Sequence, residues 1–327
     1  MARFVFLIIV FFSPSISAQD RIIQFDPALN EVIDTEASIM TLSKGHRWLE
    51  GPAWDKKRQK LYFSDVPENR SYQWSTTEGV TPFLDPSGID PRQAAGFREP
   101  GTNGLYYLGG DRLMMANHGL RRVEILNLKT LERSAVVETY KGKKFNSPND
   151  IIPTQSGGLY FTDPPYGLEG VLTSPLREID FSGVYYHGNN GQTSVIDKDL
   201  SFPNGVALSP DQKMLYVAVS DPNTPHLYGY RLSEEGKVQE KKLLFDMKSY
   251  LESGLKGMPD GMTIATSGHI FLTGPGGVFI LSPEGKPLGQ IRLESLSANC
   301  AFGEDGQTLF IAAQGRLLKV QTKVKGW

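Results

Sequence analysis

Six short apolar runs punctuate the chain: LYFSD from Leu61, LMMAN from Leu113, LYFTD from Leu159, LYVAV from Leu215, IFLTG from Ile270 and LFIAA from Leu309. Ten or eleven positions before each run stands one polar residue, in order Glu50, Asn103, Asn149, Asn204, Asp260 and Asn299, usually with glycine next or nearly so. Between the polar residue and the run lie a few alternating apolar positions and a turn, as in EGPAWDKKRQKLYF, NGVALSPDQKMLYV and DGMTIATSGHIF. Alternation, turn and a β-rich run together predict one β-hairpin in six copies.

The runs begin 52, 46, 56, 55 and 39 residues apart, a spacing that suits a propeller blade of about 40–50 residues with variable loops. The expected fold is therefore all-β, a six-bladed β-propeller. The innermost strand of each blade lines the central channel, so residues at one register of that strand ring one end of it. Six oxygen-bearing side chains drawn from the whole sequence converge there, and such a ring is a candidate site.

Length and composition fit this architecture. A chain of 327 residues exceeds the roughly 250–300 at which a single core stops growing, and a propeller avoids that limit by burying apolar surface between blades. The 34 Gly and 21 Pro suit many short strands and tight turns, and no long amphipathic helical pattern appears. A formal net charge of −2, with Lys and Arg scattered apart from short clusters such as residues 141–144, gives no electrostatic reason to bind nucleic acid or acidic membrane. Small-molecule partners are favoured.

At the N-terminus Arg3 precedes the apolar run Phe4–Phe12, which ends at Ser13-Pro14 before SISA. This is the layout of a secretory signal peptide over residues 1–18, with residues 19–327 forming the propeller. Nine apolar residues fall well short of the roughly 20 that span a bilayer, so no stable membrane anchoring is expected after cleavage, and the protein is placed in the periplasm or secreted. Cys300 is the single cysteine; it offers no disulfide and reads as a small core residue.

Residues 38–44, with a strand at Ser38–Leu42, are expected to supply the outer strand of the last blade, whose other strands lie near the C-terminus. The Pro/Gly-rich segments 75–102 and 164–182 read as long surface loops, where binding residues concentrate. If each inner strand runs away from the ring, the following strand returns to it, which brings Asp65, His118, Asp163 and Asp221 back to the same face as rim groups. Asp65 and Asp221 equally suit plain turn bonds to backbone N–H groups.

Glu50 and Asp260 with the amides of Asn149 and Asn204 form an all-oxygen set of charge −2. A hard divalent cation is the natural occupant, Ca²⁺ first, since it accepts six to eight oxygens in flexible geometry. Zn²⁺ prefers His or Cys, which no copy offers at this register, and Mg²⁺ and Mn²⁺ are further options. Asn-Gly and Asp-Gly are also common turn dipeptides, but six polar residues in one register, one of them Glu, are not explained by turns.

The stretches LEGPAW (49–54), TNGL (102–105), ANHGLRRV (116–123), SPNDI (147–151), LYFTDPPYGL (159–168), FPNGVALSPD (202–211) and PDGM (259–262) resemble, in order and spacing, the gluconolactonase and regucalcin (senescence marker protein) family. The bacterial gluconolactonases are the most similar branch. The resemblance covers nearly all of the chain after residue 18. It implies a six-bladed propeller with one divalent metal, usually Ca²⁺, held at Glu50, Asn204 and Asp260, with Asn149 as ligand or substrate contact and Asp260 as the acid/base catalyst. It implies hydrolysis of a sugar lactone, the metal polarising the carbonyl that water attacks. Asn103, His118 and Arg121 are expected as further substrate contacts, because a polyhydroxylated ring needs fixed donors and acceptors. The alternatives are another lactone, ester or organophosphate substrate in the same fold, or a non-enzymatic exported propeller whose metal is structural. A Ser-His-Asp hydrolase is disfavoured, because no G-x-S-x-G elbow is present.

Overall fold

The computed structural model describes residues 20–326; the expected signal peptide lies outside the described residues. Six antiparallel sheets of four or five strands follow one another along the chain, and each is a blade; a two-stranded sheet, Thr139–Tyr140 with Lys143–Lys144, follows the second. The inner strands are Leu49–Asp55, Thr102–Gly109, Ile151–Pro153, Pro203–Leu208, Met262–Ile264 and Asn299–Gly303. Each pairs with the apolar run that follows it, Lys60–Asp65 in blade 1 and Thr308–Ala313 in blade 6 for example.

These second strands are buried on both faces, which is why they read as nearly continuous apolar runs. Their alternation decides which neighbour each side chain meets: in blade 1 Leu61 and Phe63 face blade 6, while Tyr62 faces blade 2. Among the described residues the buried apolar side chains fall into six clusters, one at each blade interface. Burying one such large side chain stabilises by about 1.5–3 kcal/mol. Phe310, for instance, lies with ring centroids 5.8 Å from Trp54 and 5.2 Å from Trp74, joining the last blade to the first.

The N-terminal segment closes the ring. Met40–Lys44 forms the outer strand of blade 6, Met40 opposite Lys319 and Lys44 opposite Arg316, in the place expected for it. A second strand, Arg21–Gln24, adds to the edge of blade 5 opposite Gly289–Arg292. The short 3₁₀ turn Pro27–Glu31 between them carries Leu29 into the interface of blades 5 and 6, with Val32 and Ile33 just beyond it. Cys300 is a core residue of that same interface, as its sequence context suggested.

Candidate active site

The ring residues stand at or just before the start of each inner strand, and a cavity of about 710 Å³ lined by all six inner strands runs down from them. The glycines beside them are a consequence of close approach rather than of turns. A Cβ on Gly51 would lie 2.2 Å from the Asn103 carbonyl, and one on Gly205 2.2 Å from the Asp260 carbonyl. The same test brings Gly104 against Asn149 and Gly261 against Asn299. Four blades are thus packed through a glycine against the ring residue of the next; blade 3 instead reaches blade 4 through the Asp150 carboxylate, which accepts from Val206 N–H at 3.0 Å, and the circle closes where Asn299 Nδ2 donates to Glu50 Oε2 at 3.3 Å.

Behind the ring, hydroxyls from alternate blades fix its backbone. Ser64 donates to the Asn103 carbonyl at 2.9 Å, Thr162 to the Asn204 carbonyl at 2.6 Å, and Thr273 to the Ala298 carbonyl at 3.0 Å. The intervening blades place buried Ala116, Ala218 and Ala312 at the same register. Asn204 is oriented as well as placed. The Ser220 hydroxyl donates to the Pro259 carbonyl at 2.5 Å, so it can only accept from Asn204 Nδ2, at 2.9 Å, which turns the Asn204 amide oxygen the other way.

Glu50 is 3% exposed, and burial followed by the charge of Asp150 pushes its pKa up to about 8, against hydrogen bonds from Gly51 N–H, Asn299 and Trp48. Asp260 is pushed well above the ordinary carboxylate range by burial, then by the charges of Glu50, Asp150 and Glu99. Asp150 is raised to about 7 by burial, partly offset by the N–H groups of Val206 and Ile151. No cationic side chain is among the main influences on any of the three. Three mutually repelling carboxylates without a counter-charge, beside an oriented amide oxygen, are the donor set a hard divalent cation fits. Among the described residues no group of three His, Cys, Asp and Glu side chains is placed to hold a metal, so a cation here needs the amides of Asn149 and Asn204 in addition to Glu50 and Asp260.

The two long loops meet over the ring. Arg98 and Glu99 N–H groups both donate to the Gly167 carbonyl, Glu169 N–H donates to Gly96, and Phe97 bridges to Leu168. This brings Glu99 and Tyr166 to the side of the site where Asp260 stands, since the charges of both carboxylates act on the Tyr166 phenol. Tyr166 stacks on Phe202 with centroids 5.4 Å apart, and Phe202 holds a φ of 72° immediately before Pro203-Asn204. A non-glycine residue in that region is costly, and such strain clusters at functional sites.

Residues 48–315 match the SMP-30/Gluconolactonase/LRE-like region. The chain belongs to that family. It is 42% identical over 311 residues to a gluconolactonase of Zymomonas mobilis, covering 94% of this chain and 87% of that protein. It is 25% identical to the lactonohydrolase oryL of Aspergillus oryzae, over 85% of this chain and 68% of that one. Among solved structures, a gluconolactonase of Xanthomonas campestris superposes with a TM-score of 0.79 at 26% identity, over 93% and 95% of the two chains. The calcium-binding regucalcin of Agrobacterium tumefaciens, at 18% identity and a TM-score of 0.69 over 89% and 96% of the two chains, shares the propeller fold.

Within this member of the SMP-30/gluconolactonase family the expected site residues have different fates. Glu50, Asn103, Asn149, Asn204, Asp260 and Asn299 form one ring. His118 lies behind Asn103, fully buried, with Nε2 3.3 Å from Asn103 Nδ2. Arg121 is spent elsewhere: its guanidinium donates to the carbonyls of Phe145 and Lys144 and pairs with Glu178 at 3.3 Å, so it braces the loop before Asn149. Asp65 accepts from the N–H groups of Arg47 and Trp48, and Asp163 from those of Asn146 and Ser147, each holding the segment that leads into an inner strand. Asp221 makes a turn bond to Asn223. Asp150, Glu99 and Tyr166 join the site with no repeated register to mark them; the last two lie on the Pro/Gly-rich loops 75–102 and 164–182.

Proposed function

We propose that the protein hydrolyses a five- or six-membered sugar lactone at the mouth of the channel, with one divalent cation, Ca²⁺ first, held by Glu50, Asn149, Asn204 and Asp260. The observation that carries this reading is the surplus of buried negative charge at the ring in a lactone-hydrolysing family. When bound, the cation supplies Lewis-acid polarisation of the lactone carbonyl. Asp260 takes a proton from the attacking water as its oxygen bonds to the carbonyl carbon. The ring C–O bond then breaks, and the leaving alkoxide takes that proton from Asp260, which gives the open hydroxy acid and restores the carboxylate. Asp260 is a weak base while it also touches a cation, so positioning supplies much of its effect. Asn103 and Asn149 supply polar contacts to the substrate's hydroxyls, with Tyr166 and Phe202 as an apolar wall. In this reading Arg121 acts through the loop it braces.

Proton release on a panel of aldonolactones, with and without Ca²⁺, tests the proposal, at a pH where spontaneous opening is slow. Cation-dependent turnover of at least one aldonolactone is expected. Turnover of a phosphotriester instead would move the protein to an organophosphatase, and turnover of neither would favour a binding scaffold. Among the described residues no helix is long and apolar enough to cross a membrane. Export after cleavage near Ala18, to the periplasm or medium, is part of the same proposal, and N-terminal sequencing of the exported chain tests it.

A further inference from the structure

Two buried polar atoms on neighbouring side chains have no hydrogen-bond partner, Asn103 Oδ1 and His118 Nδ1. His118 has no exposed surface, and its ring lies between the side chains of Asn103 and Glu99. Nε2 is 3.3 Å from Asn103 Nδ2, and Nδ1 is 3.5 Å from Glu99 Oε2, a long contact. The other Glu99 oxygen accepts from Arg98 Nη2 at 2.5 Å, and the Arg98 and Glu99 N–H groups are fixed on Gly167.

A neutral imidazole carries one donor and one acceptor nitrogen, and a carboxylate only accepts. Glu99 stands as a carboxylate because its Oε1 accepts a charge-assisted bond from the Arg98 guanidinium at 2.5 Å, and its pKa lies below the ordinary value although burial by itself would lift it. The imidazole proton therefore belongs on Nδ1, facing Glu99. Nε2 then offers a lone pair, which the Asn103 NH₂ group can satisfy and its oxygen cannot. The amide oxygen is left facing away from His118 with nothing to accept from, on the ring where the substrate would sit.

We propose that Glu99 and His118 are positioning residues that fix the Asn103 amide, so that Oδ1 is presented as the acceptor for a hydroxyl of the lactone. The substrate half of this inference rests on the lactonase reading above; the orientation half does not. Glu99→Gln tests both. Arg98 would keep the glutamine oxygen, leaving its NH₂ toward Nδ1, and His118 would have to move its proton to Nε2. The Asn103 amide would then turn over and offer the substrate a donor in place of an acceptor.

The experiment is ¹⁵N NMR of histidine-labelled protein in saturating Ca²⁺, the His118 signals assigned by their loss in His118→Gln, together with steady-state kinetics. In wild type Nδ1 should carry the proton, and in Glu99→Gln Nε2 should. KM for a polyhydroxylated lactone should rise about tenfold in Glu99→Gln with kcat nearly kept, the pattern of a lost binding hydrogen bond. KM for an unsubstituted δ-lactone should stay the same, and Glu99→Gln should add nothing in an Asn103→Ala background. A wild-type proton on Nε2, or an unmoved proton and KM in Glu99→Gln, overturns the proposal. Absent lactone turnover with the Nδ1 proton in place overturns the lactonase reading and the substrate half with it, and supports the orientation half.

Discussion

The inner strand of blade 1 carries a buried carboxylate near each end, and the two live in opposite surroundings. Asp55, fully buried, accepts from the N–H groups of Lys57 and Arg58 at 2.8 and 2.9 Å and pairs with the Arg58 guanidinium at 2.8 Å. Glu50, five residues earlier and 3% exposed, has amide and N–H contacts but no cation, and it faces the charges of Asp150 and Asp260. Glu124 repeats the first pattern in blade 2, fully buried and paired with Arg122 and Arg133. Burial of a carboxylate is therefore not what marks the site. A buried charge normally arrives with its partner, because desolvation costs several kcal/mol otherwise, and a partner missing from the chain is what motivates the proposed cation.

The sharpest way to break this comparison is to neutralise the ring at its proposed catalytic residue. Asp260→Asn should lower kcat for lactone hydrolysis by about 10²–10⁴-fold even at saturating cation, the usual contribution of an acid–base group. Steady-state rates across a Ca²⁺ titration separate this loss from weaker cation binding. A variant that recovers full kcat at high Ca²⁺ would leave Asp260 as a ligand only.

Next in size is the linkage between cation and stability. Wild type at Ca²⁺ a hundredfold above its Kd should gain about 2.7 kcal/mol, and chelation should remove that gain. Glu50→Gln should lose most of the increment, while its metal-free form should be at least as stable as metal-free wild type, since one of three repelling charges is gone. Asn103→Ala should keep the increment, because Asn103 is placed as a substrate contact. Urea unfolding of the three proteins with and without Ca²⁺ decides it, and equal increments in wild type and Glu50→Gln would refute the cation assignment.

How much of this was legible in the sequence follows from what repeats. Each blade needs a second strand buried on both faces and a polar residue at the channel end of its inner strand, so LYFSD, LYFTD and their relatives recur in register with Glu50 to Asn299. The glycines after Glu50, Asn103, Asn204 and Asp260 recur because a neighbouring carbonyl or side chain fills the space of a Cβ. Glu99 and Tyr166 repeat nothing; they reach the site only because two unrelated loops bond through Gly167 and Gly96. Arg21–Gln24 is a four-residue strand with one buried side chain, Ile22, too short for its alternation to register. Arg121 suits a substrate contact as a donor for a polyhydroxylated ring, but its φ of 55° belongs to a turn and its guanidinium goes to the Phe145 and Lys144 carbonyls. Tertiary neighbours, which no local pattern records, decide such positions.

At the satisfied end of the strand, Asp55→Ala removes three acceptor contacts and leaves Arg58 with Asp111, at 2.5 Å, and the Gly110 carbonyl, at 3.2 Å. The loss should be about 2 kcal/mol of stability, at the lower end for a broken charge-assisted set because Arg58 is partly exposed. Activity per folded molecule and the Ca²⁺ increment should both stay at wild-type values. If Asp55→Ala instead changed cation affinity as Glu50→Gln is expected to, the division between paired and unpaired carboxylates would be wrong.

The smallest effect expected is at the hydroxyls behind the ring. Thr162→Val keeps the shape of a fully buried side chain and deletes two bonds, the one it donates to the Asn204 carbonyl at 2.6 Å and the longer one it accepts from Asp150 N–H at 3.2 Å. That carbonyl sits between blades 3 and 4, so its loss of a donor should cost about 1–2 kcal/mol, the net bond plus part of the penalty for an unsatisfied acceptor. The Asn204 amide itself is held independently by Ser220, which is in turn held by Pro259. Stability should therefore fall while Ca²⁺ affinity changes by less than about threefold, a margin under 1 kcal/mol. Ser220→Ala reverses the two readouts: it frees the amide to turn, so cation affinity should fall more than stability. Calorimetric Ca²⁺ titration of both variants alongside urea unfolding makes the contrast, and a Thr162→Val that weakens Ca²⁺ as much as Ser220→Ala would mean that backbone placement, not amide orientation, governs the ring.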